Sequence, residues 1–344
     1  MKRKTFTRSL AAVAAVSVLA PVAALADMQF VGAGATFPTP FFSRAFYAYS
    51  QDHPGITVNY ASIGSGGGIA QLTAKLVDFG ASDVPMNAKE LAAAWDANGK
   101  VIQLPDTLGG EPIAYNAPGL PKHIRLTEKT LADIFLGHVA NWNDPSIAAV
   151  NPGVKFPNLA ILVVHRADAS GTSYHFTDYM AKISSEWKTK VGVGKTVNWP
   201  TGVGAKGNEG VAGQIQNSPG AVGYIELAYA LQNDMAYVAL QNKDGAYVLP
   251  TVDTIRAAAA QKPNVNAVDF SVTDMAGKDS YGISGYSWIM VWQNQADPAK
   301  GRQLQDLLKW LVTSGQQYAK KVHYVALPDN VQQEALKAIA SIHT

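Results

Sequence analysis

The chain has 344 residues, 47% of them hydrophobic and 16% charged, with no cysteine and a formal charge of +2. That length can bury an ample core and makes two domains the working expectation. The absence of Cys excludes a disulfide framework, thiol chemistry and a lipid on an N-terminal cysteine. No basic stripe runs along the chain, so nothing directs it to nucleic acid.

The first 26 residues read as a leader. Met1-Lys2-Arg3-Lys4 and Arg8 give a basic start, Ser9 to Ala23 is apolar or small, and Ala24-Leu25-Ala26 is a cleavage-type Ala-x-Ala. The apolar run is short and broken by Pro21, which argues against a membrane anchor. Cleavage before Asp27 would remove four basic and no acidic residues and take the formal charge from +2 to −2. A soluble protein of the bacterial periplasm is the expectation, secreted through a cleaved signal peptide.

Gly32-Ala33-Gly34-Ala35-Thr36-Phe37 is followed by Pro38 and by Phe42, Phe46 and Tyr49 at helical spacing, so Thr36 reads as the cap of a helix. Ile56 to Tyr60 reads as a strand. Gly64-Ser65-Gly66-Gly67-Gly68 then opens a helix carrying Ile69, Leu72 and Leu76. Each glycine weakens a helix by about 1 kcal/mol relative to Ala, a cost better explained by close approach to the backbone than by capping. Val77-Asp78-Phe79-Gly80-Ala81-Ser82 ends at Asp83. Asp83 is not needed as a cap, because Asn87 and Glu90 form the capping box of the next helix. Val101 to Leu104 is a strand, Leu104 to Pro112 a polar connection, and Ile113 to Tyr115 a strand.

Ala160 to His165 is a buried-type strand running into Arg166-Ala167-Asp168-Ala169-Ser170-Gly171-Thr172, with a helix marked by Phe176, Tyr179 and Met180 beyond it. Gly202-Val203-Gly204-Ala205-Lys206-Gly207 matches a dinucleotide fingerprint, but it follows Trp199-Pro200 rather than a good strand and is discounted. Ala221 to Ile225, Ala236 to Leu240 and Tyr286 to Trp292 read as strands, with Ala276 to Gly285 a second candidate connection between lobes. Asp297-Pro298 starts a helix whose Leu304, Leu307, Leu308, Leu311 and Val312 share a face. A last helix from Asp329 carries Val331, Leu336, Ile339 and Ile342. The alternation argues an α/β protein.

Three small-residue turns with a hydroxyl at a helix start would aim backbone N–H groups and helix dipoles at an anion. Arg166 and Asp168, two apart in an extended segment, can pair and so fix the guanidinium fork. Asp83 fits such a site only if the anion carries a proton: hydrogen phosphate can donate to it, whereas sulfate cannot and is repelled. The serines lack the flanking glycines of a nucleophile elbow, and the scattered His have no metal-ligand spacing. His165 and His175 read as structural. A Ser- or Thr-dependent phosphatase would need a base or metal for which the chain offers no pattern.

Together these segments resemble the phosphate-binding proteins of bacterial phosphate ABC importers, and the stretches Gly207-Asn208-Glu209-Gly210 and Pro219 to Tyr224 are similar too. The resemblance implies a two-lobed type II periplasmic binding protein fold with two crossover strands as a hinge. Lobe I would hold residues 27–112 and 282–344, and lobe II residues 113–281. It implies phosphate held by Thr36, Phe37, Ser65 and Asp83 from one lobe and by Arg166, Ser170, Gly171 and Thr172 from the other, with Asp168 orienting Arg166. Ala169 stands where Gly is common, of little consequence unless the backbone there needs a positive φ. The implied protein is a monomeric receptor, not an enzyme, without cofactor or metal, that delivers phosphate to a membrane permease. Sulfate or molybdate would be alternative ligands that Asp83 opposes, arsenate is close enough to phosphate to share the site, and a sensor or adhesin is a further alternative.

Overall fold

The computed structural model describes residues 28–344, so the expected leader lies outside the described residues. The first stretch of chain builds β1 (Met28–Gly34), α1 (Thr39–Asp52), β2 (Ile56–Ser62), α2 (Ser65–Thr73), β3 (Phe79–Ser82), α3 (Ala88–Asn98) and β4 (Val101–Gly110). It then crosses to β5 (Ile113–Tyr115), β6 (Arg125–Leu126), α4 (Glu128–Leu136), α5 (Pro145–Ala148), β7 (Leu162–Arg166), α6 (Gly171–Ile183), α7 (Ser185–Lys190), β8 (Val203–Ala205) and α8 (Gly207–Asn217). On the same side follow β9 (Ala221–Tyr224), α9 (Leu227–Gln232), β10 (Ala236–Tyr237), β11 (Ala239–Gln241), β12 (Tyr247–Val248) and α10 (Val252–Ala260). The chain returns through β13 (Ser284–Trp292) to α11 (Pro298–Val312), short 3₁₀ turns and α12 (Asp329–Ala340).

Two five-stranded sheets anchor two lobes, with strand orders β2-β1-β3-β13-β4 and β10-β5-β9-β7-β8. In the first, β1 runs parallel to β2 and β3; in the second, β7 runs parallel to β8 and β9. Parallel neighbours need crossover helices, and these cover the sheet faces. Every residue of β13 is buried, which is why it reads as an unbroken apolar run. The helices pack as their periodicity requires. Phe41, Phe42, Ala45, Phe46 and Tyr49 form the inner face of α1, and Leu304, Leu307, Leu308, Leu311 and Val312 that of α11. Asn87 and Glu90 close the expected capping box, and the Asp297 carboxylate accepts from the Ala299 and Lys300 amides.

Two expectations change. The segment from Leu104 to Pro112 is not an irregular connection: β4 continues to Gly110, pairs with β13 on both sides of one bulge and is buried from Leu104 on. Pro105 disguises this, because it cannot donate to a ladder and is confined to bulges and edges. The register slips beside it, with Pro105 opposite Trp288 but Thr107 opposite Ser287, so Asp106 is the extra residue. The apolar stretch Ala236 to Leu240 is two strands, one joining β5 and one joining β6 and β12. Between them Val238 is fully buried, which makes the stretch read as continuous.

The crossing is tight: Gly110 pairs with Ser284, and the Glu111 amide donates to the Ile283 carbonyl at 2.9 Å. The outgoing and returning strands therefore lie side by side where the lobes join. For the core, Leu311→Ala is expected to cost about 2–5 kcal/mol, because its neighbours on α11 and β4 cannot collapse fully into the cavity. Denaturant unfolding checks this as a shift of midpoint with unchanged slope.

Candidate anion-binding site

The candidate residues come from two half-sites at the C-terminal ends of parallel strands, the position where open α/β sheets hold ligands. Thr36 and Phe37 follow β1, Ser65 opens α2 after β2, and Asp83 follows β3. Arg166 ends β7, Ser170 caps α6, and Gly171 and Thr172 are its first residues. The structure brings all of them together across the lobe interface.

Arg166 is 3% exposed. Its Nε donates to Asp168 Oδ1 at 2.8 Å, its Nη2 pairs with Asp168 Oδ2, and its Nη1 donates to Thr172 Oγ1 at 3.1 Å. Burial would by itself weaken the guanidinium's hold on its proton, but the bonds and charge of Asp168 outweigh it and its pKa is raised. Burial likewise acts to raise the Asp168 carboxyl, and Arg166 overrides it, holding the pKa below the usual range. Asp168 Oδ1 also accepts from the Gly207 amide at 3.0 Å, which ties the start of α8 to the same ion pair.

Ser65 Oγ accepts from the Asp83 amide at 3.2 Å and, across the interface, from the Gly171 amide at 3.0 Å. Thr36 Oγ1 accepts from the backbone amide and the side-chain amide of Asn208, at 3.1 and 2.8 Å. Ser170 Oγ accepts from the Ser173 amide at 3.0 Å and caps α6. In each of these three hydroxyls the acceptor role is filled from the backbone or from Asn208, and the proton is left to give. Thr172 Oγ1 accepts from Arg166 and from Asn208 Nδ2 at 3.2 Å, and its proton points to Asp83 Oδ2 at 3.4 Å. Phe37 is fully buried, its ring edge-on to His175 and Tyr324.

Asp83 is 1% exposed, and its Oδ1 has no hydrogen-bond partner among the described residues. Burial pushes its pKa to about 7, against the opposing pull of the Arg166 charge and the Thr172 and Ser287 hydroxyls. Asp106, Glu111 and Glu226 are buried nearby and raised well above the usual carboxylate range, chiefly by burial, with the Asp83 charge adding to it. His175 Nδ1 lies 3.1 Å from Glu111 Oε1, and burial lowers its pKa to about 4. Among the described residues no cluster of His, Cys, Asp and Glu is arranged to hold a metal ion, and no helix is long and apolar enough to cross a membrane.

One sequence expectation is revised. Thr36 does not cap α1, whose preceding residue Pro38 makes no side-chain cap; its hydroxyl reaches Asn208 instead. The expected close approach to the glycines around Ser65 is present: the other lobe approaches Gly64 and Gly66, and β1 and β3 approach Gly68. A Cβ on Gly66 would stand 2.5 Å from the Ala169 methyl, and one on Gly64 2.3 Å from Asp168 Oδ2. Gly66 therefore makes room for Ala169, whose φ is not positive. The Gly202 to Gly207 segment follows no strand, as expected, and itself holds β8 and the start of α8. It delivers Asn208, which sequence reasoning placed in no role although Gly207-Asn208-Glu209-Gly210 was in view. Asn208 is fully buried and bonds Thr36 on one lobe and Thr172 on the other, while its Oδ1 accepts from the Glu226 amide at 2.9 Å.

A carboxyl raised in the native state binds more protons there than in the unfolded chain, so its contribution to stability is full below the unfolded pKa and lost as pH rises through the native one. For Asp83 that window runs from about 4 to about 7. His175 acts oppositely over much of the same range, so the difference between variants is the informative quantity. Ligand-free Asp83→Asn is expected to lose less stability than wild type on going from pH 4 to 7, by up to roughly 4 kcal/mol. Denaturant midpoints across that range test it, and parallel profiles would contradict it.

A PBP superfamily domain model matches residues 21–314. The phosphate-binding protein PstS of Xylella fastidiosa is 43% identical over 314 residues, 90% of this chain and 84% of the relative. That of Pasteurella multocida is 42% identical, covering 88% and 87%. Among solved structures, the high-affinity periplasmic phosphate-binding protein PfluDING aligns with a TM-score of 0.71 at 21% identity over 89% of this chain and 92% of its own. A phosphate-binding protein from Stenotrophomonas maltophilia aligns at 0.69 and 17% identity, over 90% and 93%. At such identities these structures speak for the fold alone, which is the two-lobed type II periplasmic binding protein fold. The chain belongs to the PstS family of phosphate-binding proteins, within the PBP superfamily, a family of binding proteins rather than enzymes.

Proposed function

We propose that this protein binds inorganic phosphate as hydrogen phosphate between its two lobes and delivers it to the membrane permease of a phosphate ABC importer. The observation that carries the reading is the set of hydroxyls at Thr36, Ser65 and Ser170, each with its acceptor role filled and a proton to give, gathered around a buried Arg166 and a buried Asp83. Relatives 43% and 42% identical over most of the chain carry the name phosphate-binding protein, which supports the same ligand.

In this reading Arg166 and the N-termini of α2 and α6 supply positive potential, and Thr36, Phe37, Ser65, Ser170, Gly171 and Thr172 supply neutral donors, the Gly171 amide and the Thr172 hydroxyl exchanging Ser65 and Asp83 for the ligand. Asp83 accepts the ligand's proton. Its raised pKa leaves it poised to ionise near neutral pH, and a proton-bearing anion relieves the repulsion that sulfate could not. Asp168 holds the guanidinium in register and touches no ligand itself.

The lobes divide at residues 27–112 with 282–344 and at 113–281, and the paired crossing at Gly110–Glu111 and Ile283–Ser284 is the hinge. The protein works as a monomer in the periplasm after loss of its signal peptide.

Calorimetric titration of ligand-stripped protein tests the ligand. Phosphate is expected to bind tightly while sulfate gives no heat, and Arg166→Ala is expected to lose about a hundredfold or more in phosphate affinity, since it removes a charge-assisted contact and leaves the partly buried Asp168 without its counter-ion. Binding of neither anion, or turnover of a chromogenic phosphate ester, would overturn the receptor reading.

A further inference from the structure

Behind the Thr36–Phe37 turn lies a group that the anion site does not use. Tyr324, fully buried in the segment between α11 and α12, places its Oη 2.5 Å from the Phe37 carbonyl oxygen and 2.8 Å from Glu226 Oε2. A phenol has one proton, and a carbonyl oxygen has none. The shorter contact takes the Tyr324 proton to Phe37. The contact to Glu226 is then a hydrogen bond only if Glu226 provides the hydrogen.

We propose that Glu226 is a positioning residue that carries a proton at neutral pH and donates it to Tyr324, which in turn fixes the Phe37 carbonyl and with it the Thr36–Phe37 turn. The inference rests on the reading of that turn as part of the phosphate site.

Burial and the neighbouring charges of Glu226 favour the neutral acid. It is fully buried, and its Oε1 has no partner among the described residues. Gly109 of β4 packs so close that a Cβ there would stand 3.2 Å from Oε1. The ionisable groups facing it are Asp83 after β3, Glu111 beyond β4 with its partner His175 on α6, and the phenols of Tyr229 and Tyr324. None is a cation, and burial drives the acid well above the usual range. The bonds that could stabilise a carboxylate are one from the Tyr324 phenol, were its proton not held by the Phe37 carbonyl, and those from the first amides of α9, of which Ala228 donates to Oε2 at 2.7 Å.

The same chain of bonds spans the lobes. Glu226 belongs to α9 on the β9 side, whereas Phe37 and Tyr324 flank the first sheet, and Tyr229 on α9 adds a bond to the Thr36 carbonyl at 2.6 Å. The turn is held from behind by Tyr229 and by Tyr324 with Glu226, while Asn208 holds the Thr36 hydroxyl. Misplacing the turn misaims groups that face the anion.

Infrared difference spectroscopy and calorimetry on the full protein decide the matter. Wild type minus Glu226→Gln at pH 8, without ligand, is expected to show the C=O band of a protonated carboxylic acid. Its absence would mean an ionised Glu226 and overturn the proposal, whatever the protein binds. For phosphate affinity, Glu226→Gln is expected to stay within about threefold of wild type, because the amide still donates to Tyr324 and only the cap on Ala228 is lost. Tyr324→Phe and Glu226→Ala are each expected to weaken phosphate binding about tenfold or more. If Glu226→Ala does not fold, Tyr324→Phe supplies the comparison. A Glu226→Gln variant as weak as Tyr324→Phe would overturn the positioning role. Failure of wild type to bind phosphate would strike the reading of the site and leave the infrared result to judge Glu226.

Discussion

Everything at the lobe interface depends on burying the charge of Arg166. A guanidinium taken out of water costs several kcal/mol unless its charge and its donors are met. Asp168 meets the charge through the fork, and Thr172 takes a further donor. Because Asp168 also accepts from Gly207, and Thr172 from Asn208, the ion pair fixes the starts of α6 and α8 at once. Ser65 and Gly66 of the first lobe then close against Gly171 and Ala169 of the second. Two surface-side contacts, Ser62 with Glu209 and Glu90 with Lys195, complete the clasp but are partly solvated and contribute less.

The electrostatic balance is unusual in its second half. One buried cation with its own counter-ion leaves little positive charge to spare, yet Asp83, Asp106, Glu111 and Glu226 are buried in the same region. They cannot all be ionised, since each carboxylate raises the cost of the next. A core of largely neutral acids serves a binding protein in a specific way. Neutral hydroxyls, amides and acids can dehydrate an anion without holding it by a heap of opposite charge, which keeps release possible. Asp83, whose carboxyl burial raises to about 7, is the one that contacts Thr172 at the candidate site.

What could be read from the sequence is what local chemistry encodes. The Asn87 capping box, the Ser170 cap, the Arg166–Asp168 pair and the apolar faces of α1 and α11 each depend on residues a few positions apart. What could not be read depends on partners far along the chain. Asn208 meets Thr36 across 172 positions, so no spacing rule announces it, and Thr36 looked like a cap because its local context is that of one. Pro105 hid the continuation of β4, because a bulge that tolerates proline exists only once β13 is paired beside it. The glycines around Ser65 did signal a close approach, but only the folded chain reveals that Asp168 and Ala169 approach Gly64 and Gly66 while β1 and β3 approach Gly68. Glu226 carries no local mark at all: its role rests on Tyr324, nearly a hundred residues away.

The account stands on Asp83 reading the proton of the bound anion. The measurement that tests it most directly is the ratio of phosphate to sulfate affinity at pH 8, determined calorimetrically for ligand-stripped wild type and Asp83→Asn. An acceptor replaced by an amide no longer repels sulfate, so the ratio is expected to collapse by about a hundredfold or more in the variant, with sulfate binding appearing where there was none. An unchanged ratio, or a wild type that takes sulfate as readily as phosphate, would contradict the account.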